Sequence, residues 1–531
     1  MPCFNPDNVA FIRTVNSRIY VDKTGLLNCM NDMILSETNC VAVSHARRFG
    51  KSQAARMIDA YYSKGSDSRE LFSKFEIAKS PDFEKHLNKY NVLHLDMAEV
   101  CDGCGGDIMG ETYRRIIKDF KIELNDKIDY SQPIDSMLSD IYKLTGSPFV
   151  IIIDEWDCVV RNYADKPDMV HSYMQFLHSL FKSEGSKSFL ALGYITGILP
   201  IKKIKDESAL NNFTEYTMLS SKRLTPYFGF TKDEVEKLCK KYDMDFETIK
   251  AWYNGYLIDG QHMYNPNSVA QAMYDGSVES YWKNTSSFDS INDLIEKNYD
   301  GLRDDIIKIL GGEELRVNTL TFRNDLSDIR SKDDVFTALI HLGYLGYNAK
   351  NKTAILPNYE VATAYEAALK SDQWGKIAQT IRQCDALLQA TITKNSEKVA
   401  AILDAAHSAY TSILNYNDEN SLSCAITMAY FTAPQYYTIA RELPSGKGFA
   451  DLSFIPLPNS GKPPMIVELK WDKNAESAIK QIKERSYTDA LKDFVNKCGG
   501  AEILLVGVNY SKRSKTKKHT CTIESFTQAA E

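Results

Sequence analysis

Several short stretches of the chain carry residue types that handle phosphate. Arg47-Arg48-Phe49-Gly50-Lys51-Ser52 lies between an apolar run, NCVAVSH, and a stretch of helical spacing, KSQAARMIDAYY. A loop feeding a helix N-terminus points free backbone N–H groups, and the positive end of the helix dipole, at an anion. Gly50 permits close approach, Lys51 can reach β- and γ-phosphates, and the Ser52 hydroxyl can ligate Mg²⁺. The first glycine of a complete phosphate loop is absent, because His45 stands there. Further on, FVIIID runs into Asp154-Glu155. An acid at a strand end can hold Mg²⁺ through its water shell, and a neighbouring glutamate can polarise an attacking water. The plainer alternative is a solvated strand end with capping acids. The next apolar run ends in Thr196-Gly197, where a threonine could face the γ-phosphate. Lys222 and Arg223 could act as cations in cis, with a surface salt bridge as the simpler reading.

A second set lies near the C-terminus. Asp451 sits in FADLSFIPL, and Glu468 and Lys470 are two residues apart in PPMIVELKW. Side chains at i and i+2 of a strand share a face, so Glu468 and Lys470 point together. If the two strands pair, Asp451 can join them. Two carboxylates then offer hard oxygen ligands to Mg²⁺, and the lysine can orient or deprotonate a metal-bound water. Glu-x-Lys alone is equally a cross-strand salt bridge. Glu442, in the preceding run, is a candidate extra ligand.

The elements that must hold these residues can be read from the pattern. Four apolar runs of strand length (NCVAVSH, NVLHLDM, PFVIIID and SFLALGYIT) alternate with amphipathic stretches in the N-terminal third. This predicts an α/β fold with a parallel sheet covered on both faces. From Pro226 to Asp372 helical patterns dominate. After a further helical stretch come YYTIAREL, FADLSFIPL and PPMIVELKW, then the helical AESAIKQIKERSYTDALKDF, then EILLVGVNY. That is an αβββαβ order, with HTCTIESF a candidate last strand. The expected division is 1–225, 226–375 and 376–531.

Composition narrows the class. The chain has 531 residues, 44% apolar and 25% charged, which is globular and neither collagen-like nor disordered. No run is long and apolar enough to span a bilayer, and the start lacks a signal-peptide pattern, so a cytoplasmic protein with no membrane partner is expected. Eleven cysteines at irregular spacing suit reduced thiols, and Cys101 and Cys104 in CDGC lack the second pair of a zinc site. Net charge is −7, against indiscriminate nucleic-acid binding. From Lys376 onward the balance is +3, and Lys512 to Lys518 holds five cations in seven residues, so this end is the better candidate for a polyanion. The Gly446-Lys447-Gly448 turn reads as a hairpin. The aromatic segments WYNGY, YNPNSV and YWKNT could stack a base or the nucleobase of ATP, but a packed interface is the better reading.

The ordered segments YVDKTGLL, RRFGKS, IIIDEWD, YITGIL, YFGFTKDEV, WYNGY, YNPNSV, YWKNT, GYLGY and LPNYEV resemble the bacterial and archaeal AAA-ATPase-like proteins that carry a C-terminal PD-(D/E)xK nuclease-like domain. The resemblance implies that RRFGKS is the phosphate loop despite His45, and that the nucleotide is ATP. Ala46 stands where the family has Pro, and Trp156 where it has Tyr; neither change removes a phosphate or metal group. The Asp451, Glu468 and Lys470 set matches the family's nuclease pattern. Glu419 matches its helical glutamate, and Gln481 its helical glutamine, with Tyr487 beyond.

The expectation is therefore an N-terminal phosphate-loop NTPase sheet, a helical middle unit and a C-terminal restriction-endonuclease-like domain. Arg47, Arg48, Phe49, Gly50, Lys51, Ser52, Asp154 and Thr196 are expected to bind ATP, with Ser52 and Asp154 on Mg²⁺. Glu155 is expected to assist hydrolysis. Asp451 and Glu468 are expected to bind Mg²⁺ or Mn²⁺, with Lys470, Glu419 and Gln481 completing a nuclease site that cleaves nucleic acid, DNA ahead of RNA. A protein partner or a second copy is a further candidate, and defence against foreign DNA a candidate setting. The rival reading is a non-cleaving ATP switch whose C-terminal domain binds nucleic acid or a protein.

Overall fold

The computed structural model describes residues 2–201, 210–282, 295, 298–323, 328–370, 374, 376–414, 419–445, 448–457, 460–491, 502–512 and 518–527. The chain forms two compact units. One comprises Met1–Met244, Asn254–Gly276 and Arg316–Ala354, and the other comprises Asp245–Tyr253, Ser277–Leu315 and Ile355–Glu531.

The first unit is built on β1 (Cys40–Ser44), β2 (Asn91–Asp96), β3 (Phe149–Asp154), β4 (Leu190–Gly197) and β5 (Thr214–Thr217), ordered β2-β3-β4-β1-β5. All four pairings are parallel. The first four strands are those expected from the apolar runs. β5, TEYT, is an edge strand with one buried residue, so no apolar run marks it. Alternate residues feed opposite faces. Ile151 and Ile153 pack in one core cluster, and Val150 and Ile152 in the other. A strand buried on both faces must be apolar at every position, which is why these runs are unbroken. A buried imidazole–carboxyl hydrogen bond links the sheet to the helix Lys51–Tyr62: His94 Nδ1 lies 2.6 Å from Asp59 Oδ2.

The middle of the chain adds short strands to the expected helices. β6 (Phe230–Thr231), β7 (Tyr256–Ile258) and β8 (Gln261–Tyr264) form one small sheet, and β9 (Leu315–Arg316), β10 (Gly346–Asn348) and β11 (Thr353–Ile355) another. Strands of two to four residues are too short to show a period of two. Trp252, Tyr253, Tyr256, Tyr264 and Trp282 are all buried, so these rings pack rather than present a face to a base.

In the second unit β12 (Tyr437–Ser445), β13 (Gly448–Pro456), β14 (Met465–Trp471), β15 (Ile503–Tyr510) and β16 (His519–Phe526) run in sequence order. β14 and β15 are parallel and the other neighbours antiparallel. The helix Ala475–Glu484 makes the β14–β15 crossover. Its Asn474 cap accepts the Ser477 N–H at 2.7 Å, and Ala475, Ala478, Ile479 and Ile482 form its buried face. That face rests on Gly507, where an added Cβ would lie 2.3 Å from the Ala475 carbonyl oxygen. Gly507 is the register partner of Glu468, so the glycine lets the helix close down beside the site.

The cysteines among the described residues are all free thiols. No group of three or more His, Cys, Asp or Glu that could hold a metal occurs among those residues. No helix there is long and apolar enough to cross a membrane.

Gly507→Ala should force the helix off the sheet. Urea denaturation is expected to show a loss of about 1–3 kcal/mol, the usual range for overpacking.

Candidate functional site

In the first unit, β1 ends at Ser44 and the loop to the helix Lys51–Tyr62 turns through two left-handed residues, Arg48 (φ 67°) and Gly50 (φ 91°). Such turns aim successive N–H groups into one concavity. An added Cβ on Gly50 meets nothing within 4 Å, so the space above the turn is open. Lys51 is buried, and its Nζ donates to the carbonyl oxygens of His45 and Ala46 at 2.8 and 3.0 Å. Burial pushes its pKa down; the charges of Glu155, Asp154 and Asp157 oppose this. His45 turns away from the loop. Its Nε2 lies 2.7 Å from Ser221 Oγ, and burial, with Lys51 adding, pushes it down to about 3, leaving a neutral ring. The missing glycine is thus replaced by a histidine stored in the core. Phe49 is also buried, edge-on to Tyr256 at 5.1 Å, so only its backbone can face a phosphate.

The sheet order brings the other predicted residues alongside. β4 lies between β1 and β3, so Thr196 stands between the loop and Asp154. The Thr196 hydroxyl donates to Asp154 Oδ1. Glu155 takes a left-handed conformation (φ 52°), and Arg161 Nη2 reaches its Oε2 at 3.2 Å. Burial raises the Glu155 pKa against the pull of Lys51. Asp157 accepts the Ile198 and Leu199 N–H groups, which fixes the turn after β4. Arg223 pairs with Asp32 at 3.4 Å on the surface, the simpler of its two expected roles.

A cavity of about 520 Å³ opens over the loop, lined by Arg47, Arg48, Gly50, Lys51, Ser52 and Glu155. Its far wall is apolar, with Phe11, Tyr20, Tyr227, Phe230 and Pro266. A phosphate end and an apolar wall suit a nucleotide. Sequence reasoning weighs YNPNSV as a surface for a nucleobase and ranks a packed interface above it, and does not find Phe11, Tyr20, Tyr227 and Phe230 as parts of this wall. YVDKTGLL and YNPNSV were its signal, but they name no chemistry alone. Lys23 of the first segment is clamped by Glu234 at 2.7 Å, and Glu234 closes a capping box with Thr231. Asn265 of the second caps the helix Pro266–Asp275.

In the second unit the β13–β14 ladder runs from Phe454–Met465 to Leu452–Val467. One step further Asp451 Oδ2 accepts the Leu469 N–H at 2.7 Å. Its carboxylate takes the place of a strand carbonyl, and this brings it beside Glu468. Lys470 Nζ donates to Glu468 Oε1 at 2.9 Å and to the Leu469 carbonyl at 3.1 Å. Gln481 Nε2 also donates to Glu468 Oε1, and to Tyr487 Oη at 3.3 Å. Asp451, Glu468, Lys470 and Gln481 therefore meet. Glu468 Oε2 is buried with no hydrogen-bond partner among the described residues. Burial pushes the Glu468 carboxyl up to about 7, with the Asp451 charge adding and Lys470 opposing. A buried carboxylate oxygen left unsatisfied beside a second carboxylate fits a hard divalent cation. Glu419 opens the helix Glu419–Ala429. Its side chain and that of Glu442 lie outside the described residues, as do Gly446, Lys447 and 513–517 of the basic run.

Comparison with known proteins agrees with both expected families. Residues 7–205 match the family model described as "Predicted AAA-ATPase", and residues 417–520 match that of the PD-(D/E)XK nuclease superfamily. These are the two families expected from the sequence, in the expected order. Among curated proteins, an uncharacterized protein in the vnfD 5′ region of Azotobacter chroococcum mcd 1 is 21% identical over 292 residues, 54% of this chain and 54% of the relative. The match thus spans about half the length of that relative. Among solved structures, the Aeropyrum pernix ORC2 protein in its ADPNP–ADP complexes aligns over 68% of this chain and 99% of its own. Identity is 10% and the TM-score 0.28, a likeness too loose to carry an argument.

The Glu468 carboxyl has an ordinary value of 4.5 and a folded value of about 7. Folding therefore retains a proton. Stability from this group is full below pH 4.5, falls as pH rises to about 7, and stays low above. Glu468→Gln removes the titration. In chelator, the variant's stability relative to the parent should rise between pH 4.5 and 7 by up to about 3 kcal/mol and then level off. Denaturant melts across pH measure it.

Proposed function

We propose that the protein binds and hydrolyses ATP in its N-terminal region and cleaves nucleic acid, DNA ahead of RNA, with Mg²⁺ or Mn²⁺ in its C-terminal region. The observation that carries the nuclease reading is the unsatisfied buried Oε2 of Glu468 beside Asp451. The proposed division is 1–225 for the ATPase, 226–375 for a lid or linker and 376–531 for the nuclease. A cytoplasmic setting and a role against foreign DNA belong to the same proposal.

At the ATP site the roles follow from the contacts. Lys51 exchanges its carbonyl partners for the β/γ-phosphates, and the N–H groups of the loop and first helical turn receive the phosphate oxygens. Ser52 and Asp154 would hold Mg²⁺, with Thr196 orienting Asp154. Glu155, braced by Arg161, is positioned to orient water.

At the nuclease site Asp451 and Glu468 would hold the cation. A divalent cation there supplies charge neutralisation at the phosphate and a more acidic bound water. Lys470 orients the attacking water and offsets charge developing on the phosphate. Gln481 holds Glu468 in the geometry that leaves Oε2 free.

The direct Lys470–Glu468 contact favours a second reading. The pair neutralises itself, as it would in a non-cleaving domain that binds nucleic acid or a protein under ATP control.

Lys51→Ala should weaken ATP binding at least tenfold, about 1.4 kcal/mol, by calorimetry. Unchanged affinity would remove the site. Glu155→Gln should retain binding and slow hydrolysis. Asp451→Ala, Glu468→Ala and Lys470→Ala should each abolish Mg²⁺-dependent plasmid cleavage while ATP is still hydrolysed. Cleavage by none of the proteins, parent included, would leave the switch reading.

A further inference from the structure

The first unit contains a second cavity, of about 670 Å³, larger than the one over the phosphate loop. It opens at the C-terminal ends of β2 and β3, where Asp96 and Asp154 are register partners. Its floor is His94, Leu95, Asp96 and Asp154. Three helices bring cations to its lining: Arg13 from Val9–Val15, Arg56 from Lys51–Tyr62, and Arg114, Arg115 and Lys118 from Ile108–Leu124.

The acids of the cavity are already engaged. Asp96 caps the helix Met97–Gly103 by accepting the Ala98 and Glu99 N–H groups. Asp119 accepts the Cys3 N–H at 2.6 Å. Asp154 accepts the Thr196 hydroxyl, and Glu99 pairs with Arg115 at 3.3 Å. Glu111, outside the lining, takes Arg114 and Arg115 at 2.6 and 2.7 Å. Arg13, Arg56 and Lys118 are exposed, and among the described residues they form no salt bridge. Three solvated cations thus converge on a cleft whose acids are satisfied internally.

The lining also differs in kind from that of the other cavity. Among the described residues no Phe, Tyr or Trp lines it, whereas the cavity over the Arg47–Ser52 loop has an aromatic wall. A cleft with cations and no stacking surface holds phosphates and ignores bases.

We propose that this cleft binds the sugar–phosphate backbone of a nucleic-acid strand, through Arg13, Arg56 and Lys118. The strand then lies one side chain from the nucleotide. Thr14 and Gln53 line both cavities, and the Thr14 hydroxyl donates to Gln53 Oε1 in the wall between them. The proposal takes nucleic acid as partner from the function proposed above. It is tested by binding alone, so a failure of cleavage counts against the nuclease reading and leaves this test intact.

The full chain carrying Asp451→Ala, which prevents degradation, is titrated into fluorescein-labelled oligo-dT, and anisotropy is read across a salt series. The triple variant Arg13→Gln, Arg56→Gln, Lys118→Gln in the same background should bind at least tenfold more weakly. Its slope of log affinity against log salt should be shallower by about 2, because a single strand releases roughly 0.7 counterion per phosphate contact. A melting temperature equal to the parent's establishes the fold. If the triple variant melts early, Lys118→Gln alone should reduce the slope by about 0.7. Parental affinity and slope in the variants, or no oligonucleotide binding by the parent, would overturn the proposal.

Discussion

Lys51 is buried, yet among the described residues its ammonium donates only to the carbonyl oxygens of His45 and Ala46. A buried cation without a counter-ion costs several kcal/mol, and the partial charges of two carbonyls offset only part of that. The rest of the first unit is arranged around this charge. The turn through Arg48 and Gly50 wraps the chain around it, and β4 carries Thr196 between the loop and the acids of β3. Asp154, Glu155 and Asp157 act on it through space without closing a salt bridge. The geometry therefore stores an unmet demand for an anion at the mouth of a cavity. The second unit holds a related constraint: Glu468 is a buried carboxylate paired with Lys470 through one oxygen, with the other oxygen left over.

The two sheets reach this state by different routes. In the parallel sheet, strand ends and the loops after them gather the charged groups on one edge, the usual location of ligand sites in open α/β sheets. In the mixed sheet the groups lie within strands, and a break in the ladder opens the space. Asp451 takes over the Leu469 N–H where pairing would otherwise continue, and Gly507 lets the crossover helix bring Gln481 down on Glu468.

Much of this was legible in the sequence because the signals are local. Unbroken apolar runs mark β1 to β4, Gly50-Lys51-Ser52 marks the loop, and Glu468-Leu469-Lys470 fixes two side chains on one face. β5 was not legible, since TEYT is half polar at a sheet edge, and strands of two to four residues carry no period. The apolar wall of the cavity over the Arg47–Ser52 loop joins Phe11, Tyr20, Tyr227 and Pro266, which only the fold makes neighbours. The same holds for Arg13, Arg56 and Lys118, scattered over three helices. His45 was read as a lost glycine, and the fold shows where its ring goes: into the core beside Ser221.

The central claim is that each unit holds one buried ionisable group with bonding capacity left unmet, Lys51 without a counter-ion and Glu468 with Oε2 unbonded beside its pair with Lys470, and that the two are filled independently. Mn²⁺ titration followed by electron paramagnetic resonance tests it most directly. Without ATP, the parent should bind Mn²⁺ in a manner abolished by Glu468→Gln. Added ATP should recruit further Mn²⁺ in a manner abolished by Lys51→Ala and indifferent to Glu468→Gln. ATP-independent Mn²⁺ binding that survives Glu468→Gln unchanged would contradict the account.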